Sequence, residues 1–227
     1  RLSRALEVKL GLTGLSIDLF ALRRLGEALR SGKWEVTVSV WMDHEIIRVR
    51  PGRAGPSYGL AVDIGTTTMA GYLCELESME VVETAAMMNP QIQYGEDVIS
   101  RIDYCYNDPE GMQRLSDTVV DGLNILIEQA VSQAARHTGR RIRPADIEDV
   151  TVCGNTCMHH LLLQLDPEPL GSVPFTPANH DGLNIKARDF GLHVNPSANV
   201  YILPNIAGFV GGDNVGVILV EEPQNSD

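Results

Sequence analysis

One stretch of the sequence brings together residue types that suit the phosphates of a nucleotide. It reads LAVDIGTTTMAGYLCEL, residues 60–76, and its apolar start predicts a strand that ends near Asp63. Gly65 permits a tight turn directly after that strand. Hydroxyl side chains and backbone donors then lie on one side of the turn, at Thr66, Thr67 and Thr68. This combination predicts a phosphate-binding loop.

Asp63 predicts a second feature of the same loop. A carboxylate cannot face phosphates directly because the two groups repel each other, so a hard cation such as Mg2+, still carrying water, would lie between them. We therefore interpret Asp63 as a metal-binding residue that contacts the magnesium ion through its water ligands. The alternative is a plain hairpin, in which Asp63 and the threonines only satisfy the hydrogen bonds of the turn.

The loop and three further segments resemble known proteins. Residues 60–76 resemble the first phosphate-binding loop of actin-like ATPases. Three later strings resemble signature segments of the ATP-dependent reductive activators of corrinoid proteins. They are NPQIQYGEDVISRI, CGNTCMHHLLLQLDPEPLGSVPFTP and LPNIAGFVGGDNVGVIL, at residues 89–102, 153–177 and 203–219. Residues 1–50 also resemble the middle or linker domain that precedes the ATPase domain in that family.

The resemblance implies an α/β fold of the ribonuclease H-like, actin-like ATPase type, with a mixed sheet flanked by helices. It implies ATP and Mg2+ as cofactors and places Gly154, Asn155 and Thr156 in the nucleotide site beside the phosphate loop. In that family, ATP supports the reduction of cob(II)amide to cob(I)amide for methyl transfer. The partner is a corrinoid protein, either a corrinoid iron-sulfur protein or the corrinoid subunit of a methyltransferase. The electron comes from a ferredoxin domain with a 2Fe-2S cluster.

A second polar cluster occupies residues 89–101. Gln91 or Glu96 is a candidate catalytic residue that orients the water attacking the terminal phosphate, since such hydrolysis relies on positioning. No spacing rule ties either residue to the phosphate loop. Asp97 and Arg101 are four residues apart in a predicted helix, and we expect them to pair on an exposed face.

Cys153 and Cys157 have a spacing that zinc sites use, with His159 and His160 close behind. Position 157 is more usually Thr in the family segment, so we expect no zinc. The alternative to a zinc site is a purely structural role, in which a strand, a Gly-Asn turn and a helix that Thr156 caps follow one another. On such a helix the two histidines point about 100° apart, so at most one faces a cleft while the other packs or meets solvent.

Residues 1–50 have the pattern of a small α+β module. We predict a helix at Ile17–Leu29 and strands at Glu7–Leu10, Trp34–Trp41 and Glu45–Val49. Residues 51–57, PGRAGPS, concentrate Pro and Gly and form the predicted linker.

Residues 58–227 are predicted to form the first lobe of an actin-like ATPase domain. Strands are expected at 58–64, 69–76, 81–85, 148–153 and 200–203, and helices at 95–106, 111–138 and 156–165. By resemblance, the Gly-rich segment 203–216 corresponds to the helix that joins the two lobes, and Asp213 could start a capped turn there. We expect the second lobe and the ferredoxin domain to lie outside this chain, which starts at Arg1 and is read as a piece of a longer protein.

Composition excludes several classes of function. The 227 residues are 44% hydrophobic, and the formal net charge of −12 argues against a nucleic-acid partner, which needs Lys and Arg to neutralise phosphates. The most apolar run, Val210–Val220, is interrupted by Gly, Asp and Asn, so no membrane span is predicted. The 4 cysteines are too few for a disulfide framework, and we expect a cytoplasmic protein.

Other functions stay open beside the leading one. The same fold supports small-molecule kinases and acyl-CoA dehydratase activators, because fold alone does not fix chemistry. A scaffold that binds nucleotide without hydrolysing it, and changes shape in response, is a third class. A homodimer also stays open.

Overall fold

The computed structural model describes residues 2–222, and the part before residue 52 forms a small module. Its elements are the helix α1 (Leu2–Leu10), the strand β1 (Ser16–Ile17), the helix α2 (Leu19–Ser31) and the strands β2 (Val36–Trp41) and β3 (Glu45–Pro51). The strands form one sheet in the order β1-β3-β2, in which β3 runs parallel to β1 and antiparallel to β2. The α+β character expected of this segment is therefore present.

The prediction of a strand at Glu7–Leu10 is wrong, because these residues complete α1. Leu2 and Leu6 are four positions apart, which places them on one face of a helix, and both pack against the small apolar cluster of the module. The second helix agrees with its prediction more closely. Asp18 caps α2 by accepting a hydrogen bond of 2.9 Å from the amide of Phe20.

A larger, six-stranded mixed sheet follows. Its strands are β4 (Tyr58–Ile64), β5 (Thr68–Glu75), β6 (Glu80–Met88), β7 (Ile147–Gly154), β8 (Leu183–Lys186) and β9 (Asn199–Ile202), in the order β6-β5-β4-β7-β9-β8. The central strands β4, β7 and β9 are parallel, whereas β5 and β8 run antiparallel to their neighbours. This arrangement confirms the predicted α/β fold with a mixed, ribonuclease H-like sheet.

Five helices accompany this sheet among the described residues. They are α3 (Val98–Asn107), α4 (Gly111–Thr138), α5 (Thr156–Leu163), α6 (Ala187–Phe190) and α7 (Gly212–Glu221). The apolar stripe predicted on α4 is buried in the core, and Gly139 ends this helix in the left-handed region at φ 66°. β8 and α6 were not predicted, because Leu183–Lys186 is too short and polar to stand out as a strand.

The alternation along β4 determines which side chains reach the functional edge. Leu60, Val62 and Ile64 are buried in the core, while Ala61 and Asp63 are exposed on the opposite face of the strand. Asp63 therefore lies at the carboxyl end of a central parallel strand, outside the hydrophobic core.

Ion pairs hold the small module against the larger domain. The guanidinium of Arg48 lies 2.7 Å from Asp146 and 2.8 Å from Glu148, and both carboxylates are almost fully buried. On the other side of the junction, Arg188 lies 2.7 Å from the buried Asp18. The two parts have separate apolar clusters on either side of residues 51–57. That the larger part is the first lobe of a two-lobed domain stays a prediction.

Candidate phosphate-binding site

The candidate site lies where the parallel strands β4 and β7 end side by side. Asp63 is the pairing partner of Cys153, and Ile64 is the partner of Gly154. The loops that follow the two strands are therefore brought together at one edge of the sheet. In open α/β sheets, ligands bind at the carboxyl ends of the strands.

The turn after β4 requires glycine at position 65. The amide of Gly65 donates a hydrogen bond of 3.0 Å to the carbonyl of Thr68, which closes the turn. A Cβ atom at this position would lie 2.6 Å from the same oxygen, closer than any side chain allows. The sequence thus supports a tight loop rather than a wide one.

The carbonyl groups of this loop are held from the protein interior. The side-chain amide of Asn89 donates to Gly65 O at 2.9 Å, and the backbone amide of Asn89 donates to Thr67 O at 2.8 Å. Between them, Nη2 of Arg101 donates to Thr66 O at 2.5 Å. Three consecutive carbonyls are therefore turned inward.

The positions of the three carbonyls determine the direction of the N–H groups in the same peptide units. In a planar trans peptide the N–H points opposite to the C=O, so the amides of Thr66, Thr67 and Thr68 point away from Asn89 and Arg101. The Thr66 and Thr67 amides donate no hydrogen bond to any described residue. Successive amides directed to one side form an anion-binding concavity, which suits phosphate oxygens.

The loop after β7 contacts the candidate phosphate loop, residues 65–68. Nδ2 of Asn155 donates to the hydroxyl of Thr66 at 2.9 Å, while its Oδ1 caps α5 by accepting from the amide of Met158 at 3.1 Å. Thr156 instead donates to Ala207 O at 2.7 Å. Asn155, and not Thr156, is the residue that caps α5. The structure thus brings Asn155 into contact with the predicted loop and gives Thr156 a contact with the segment before α7.

Two glycines allow these segments to approach one another. A Cβ atom on Gly154 would lie 2.8 Å from Ile64 O, and one on Gly211 would lie 2.5 Å from the amide nitrogen of Thr156. The start of α7 is therefore packed against the start of α5. It also brings the first turn of α7 to the same edge of the sheet.

Asp63 shares its electrostatic environment with Asp213, in the first turn of α7. Partial burial and the negative charge of Asp213 raise the pKa of Asp63, and the Cys153 thiol, whose Sγ lies 3.9 Å from Oδ1 of Asp63, opposes this weakly. Two carboxylates that repel each other favour a cation between them. Sequence reasoning gave Asp213 only a role in a turn, although its position after Gly211 and Gly212, in a segment that resembles a family signature, pointed to close packing.

The two candidate catalytic residues occupy different environments. Gln91 is fully buried, and its Oε1 accepts from Arg101 at 3.1 Å and from Asn89 at 3.2 Å. Its amide nitrogen donates to Leu115 O at 2.9 Å. Glu96 is exposed in the turn before α3. A catalytic role for either residue stays a prediction.

The exposed pair expected between Asp97 and Arg101 is wrong. Asp97 caps α3, accepting from the amide of Ser100 at 2.7 Å. Arg101 is 0% exposed and turns inward to the phosphate loop. The spacing rule for helix pairs applies to exposed faces, and this face of α3 is covered.

Comparison with known proteins assigns the chain to a family. The family described as the RACo middle region matches residues 58–226, and the one described as the RACo linker region matches residues 1–55. The chain belongs to the RACo family. A curated relative, the corrinoid activation enzyme RamQ of Eubacterium limosum, is 38% identical over 164 residues. A solved structure titled reductive activator for corrinoid, iron-sulfur protein superposes with a TM-score of 0.83 at 34% identity.

The chain spans only part of the length of the proteins it resembles. The match with RamQ covers 72% of this chain and 27% of the relative. The match with the solved activator covers 100% of this chain and 36% of that one. Both relatives therefore contain long segments that have no counterpart in residues 1–227.

The cysteines and histidines at positions 153–160 form no metal-binding group within residues 2–222. Cys157 lies in the hydrophobic core, whereas Cys153 lies beside Asp63. Within residues 2–222, no three side chains of His, Cys, Asp or Glu are arranged to hold a metal ion. The absence of zinc stays a prediction.

Both histidines of α5 are buried. Nε2 of His160 accepts from the amide of Ala178 at 2.9 Å and its Nδ1 lies 2.7 Å from Thr156 O, so this ring is a neutral structural element. Burial, with a smaller effect of His160, lowers the pKa of His159 to about 4. Neither ring nitrogen of His159 has a hydrogen-bond partner among the described residues. Neither ring is exposed to solvent. Both ring nitrogens of His160 have hydrogen-bond partners, whereas those of His159 have none among the described residues.

None of the described helices has the length and apolarity that a membrane span requires.

Proposed function

We propose that this chain carries one wall of the nucleotide site in an ATP-dependent reductive activator of corrinoid proteins. The observation that carries the proposal is the phosphate loop, whose inward carbonyls leave the amides of Thr66, Thr67 and Thr68 directed outward beside Asp63. The names of the relatives supply the physiological context, since one is a corrinoid activation enzyme and the other a reductive activator.

The residues present fit Mg-ATP. The outward amides would bind phosphate oxygens, and the hydroxyls of Thr67 and Thr68, both exposed, would add donors at the same edge. Asp63, together with Asp213, would hold the water shell of Mg2+, which screens the phosphates and neutralises charge as it develops. Asn155 would keep the loop in place through Thr66.

We assign the water-orienting role to Glu96 ahead of Gln91. Each polar atom of the Gln91 side chain has a protein partner, which makes it a support for Arg101 and the loop. Glu96 is exposed and precedes α3 by two residues, so its carboxylate is available to a ligand. Gly154 and Thr156 are proposed to shape the site through backbone approach rather than to touch the nucleotide.

The described residues do not fit an iron-sulfur cluster. Such clusters are held by four Cys thiolates, and residues 2–222 contain no group of three Cys, His, Asp or Glu side chains placed to bind a metal. The proposal therefore assigns the 2Fe-2S cluster, the electron donor for the corrinoid, to another part of the parent protein. The four cysteines here are free thiols, which favours a reducing, cytoplasmic setting.

The experiment uses the full-length parent protein with a corrinoid iron-sulfur protein or a methyltransferase corrinoid subunit as partner. Conversion of cob(II)amide to cob(I)amide is followed by absorbance, with a reductant and with Mg-ATP, ATP plus chelator, or no nucleotide. We expect conversion only with Mg-ATP. Phosphorylation of a small molecule without corrinoid reduction would favour a kinase, and nucleotide binding without hydrolysis or reduction would favour a scaffold. Gel filtration with and without nucleotide tests whether the parent is a homodimer.

A further inference from the structure

Arg101 is a fully buried cation that has no acidic partner in direct contact. Its exposure is 0%, and within residues 2–222 no carboxylate lies within 4.0 Å of its nitrogen atoms. Its partners are neutral: Gly95 O at 3.0 Å, Gln91 Oε1 at 3.1 Å, Met158 Sδ at 3.2 Å and Thr66 O. A buried charge without a counter-charge is strongly unfavourable.

Other inward-facing arginines of the chain do contact carboxylates. Arg48 contacts two carboxylates at 2.7 and 2.8 Å, and Arg188 contacts Asp18 at 2.7 Å. Burial lowers the pKa of Arg101, and the Cys157 thiol and the Asp97 carboxylate oppose this only in part. Asp97 itself is exposed and engaged in capping α3. The positive charge of Arg101 is therefore not neutralised within this part of the protein.

The position of this charge identifies what could neutralise it. Nη2 of Arg101 binds Thr66 O, and the amide of the same peptide group, on Thr67, points in the opposite direction. The guanidinium thus lies directly behind the concavity of outward amides. An anion bound in front of the loop would face the charge across a single peptide layer.

We propose that Arg101 is the permanent counter-charge of the bound nucleotide and a positioning residue of the phosphate loop. The proposal rests on the proposed function, because it assumes that the loop binds phosphates. Arg101 would hold the loop in its binding conformation without touching the ligand itself. Arg101 orients the Thr66–Thr67 peptide and attracts the phosphates through it.

The size of the effect follows from Coulomb's law. For unit charges roughly 8 Å apart, at an effective dielectric constant of about 20, the attraction corresponds to a factor of about 30 in affinity. The effect acts on phosphates and leaves a neutral nucleoside untouched. This selectivity separates an electrostatic role from a purely structural one.

The test measures binding of Mg-ATP and of adenosine to the full-length parent by calorimetry. Arg101→Gln removes the charge, Arg101→Lys keeps it, and Arg24→Gln removes a charge from a side chain that is 76% exposed in the small module. We expect Arg101→Gln to weaken Mg-ATP binding by about 10- to 100-fold with adenosine affinity unchanged. Arg101→Lys should stay closer to the wild type, and Arg24→Gln should match it.

A second variant applies if Arg101→Gln does not fold. Gln91→Glu places a carboxylate beside the guanidinium, 3.1 Å from Nη1 in the native geometry, and so offsets the charge of Arg101, although it gives up the hydrogen bond from Nε2 to Leu115 O. It should weaken Mg-ATP binding in the same way, without a change for adenosine.

The outcomes separate the two proposals. Wild-type protein that binds no Mg-ATP overturns the proposed function and this inference together. Wild-type binding that is unchanged in Arg101→Gln or Gln91→Glu overturns the inference alone. Equal losses for Mg-ATP and adenosine, or equal losses in the Lys and Gln variants, assign Arg101 a structural role and overturn it as well.

Discussion

Replacing Asp63 by Asn should damage function and leave folding intact. Asn keeps the size of the side chain and its ability to accept a hydrogen bond, but it removes the negative charge. Asp63 is exposed at the end of β4, and the Cys153 thiol at 3.9 Å is its one side-chain hydrogen-bond partner among the described residues. The substitution therefore creates no cavity and breaks no strong contact.

The effect on stability has a definite sign. Partial burial and Asp213 raise the pKa of Asp63 in the folded protein above its value in the unfolded chain. Ionised Asp63 therefore destabilises the fold, and this penalty is fully present above the folded pKa and absent below the unfolded pKa, near about 3.9. At neutral pH, the free energy of unfolding of Asp63→Asn should equal that of the wild type or exceed it slightly, by no more than about 0.5 kcal/mol. The difference should vanish in acid.

Whereas stability should be unchanged or slightly higher, the activity of Asp63→Asn should fall strongly. Loss of one electrostatic element that acts on a phosphoryl group typically costs a factor of about 10²–10³ in rate, or about 3–4 kcal/mol. Corrinoid reduction by the full-length parent, with an electron donor and Mg-ATP, should fall by that factor in Asp63→Asn. Asp121→Asn, an exposed substitution on α4, is the matched control and should keep the wild-type rate.

Wild-type corrinoid reduction by a folded Asp63→Asn protein would refute this reasoning. Under the alternative of a plain hairpin, Asn serves in the turn about as well as Asp does, so the substitution would be silent. A lower unfolding free energy of the variant at neutral pH would contradict the sign derived from the burial of Asp63 and the charge of Asp213, even if activity fell. The two measurements therefore test the metal role and the electrostatic environment separately.

Three further predictions concern the chain of residues 1–227. It should fold but release no phosphate from ATP above a blank without protein, since preorganised donors are needed on both walls of the cleft and we propose that this chain supplies one; release that scales with purified chain would contradict this. It should contain no stoichiometric zinc by elemental analysis, and about one zinc per chain, lost on Cys153→Ser, would overturn that expectation. Arg48→Met should lower the urea-unfolding free energy by about 3 kcal/mol, because Asp146 and Glu148 keep their burial and lose a partner; Arg24→Met is the exposed control, and a loss below about 1 kcal/mol would show that the junction is not stabilised by this pair.

The strands next to the phosphate loop were predictable because their signals are local. β4 ends at Ile64, as the apolar run and Gly65 indicate, and α4 shows its buried stripe at helical spacing over its whole length. The turn residues then determine the loop, since a Cβ at position 65 would collide with Thr68 O. Fold class and the loop itself therefore follow from residues close together in sequence.

The supports of the loop were not predictable in the same way. Arg101 reaches Thr66 across 35 positions, and Asn89 reaches Gly65 across 24. Periodicity placed Arg101 on an exposed face because it considers one helix without its neighbours. Asp213 is a similar case, since its approach to Asp63 depends on the contact between Gly211 and the start of α5.

The arrangement of charges explains why these distant contacts matter for one site. The cation of Arg101 contacts the loop at Thr66 O, whereas Asp63 lies at the end of β4, directly before the loop, and interacts electrostatically with Asp213. Among the described residues, no ion pair joins Arg101 to either carboxylate. A phosphate group needs positive charge on its loop side, and Mg2+ needs negative charge on its outer side. Mg-ATP carries both, so it would relieve the buried cation and the paired carboxylates at once, whereas free ATP would relieve only the first. Binding of ATP to the full-length parent should therefore weaken on removal of Mg2+ in the wild type, and this dependence should be clearly smaller in Asp63→Asn, where Asp213 alone remains, but unchanged in Arg101→Gln.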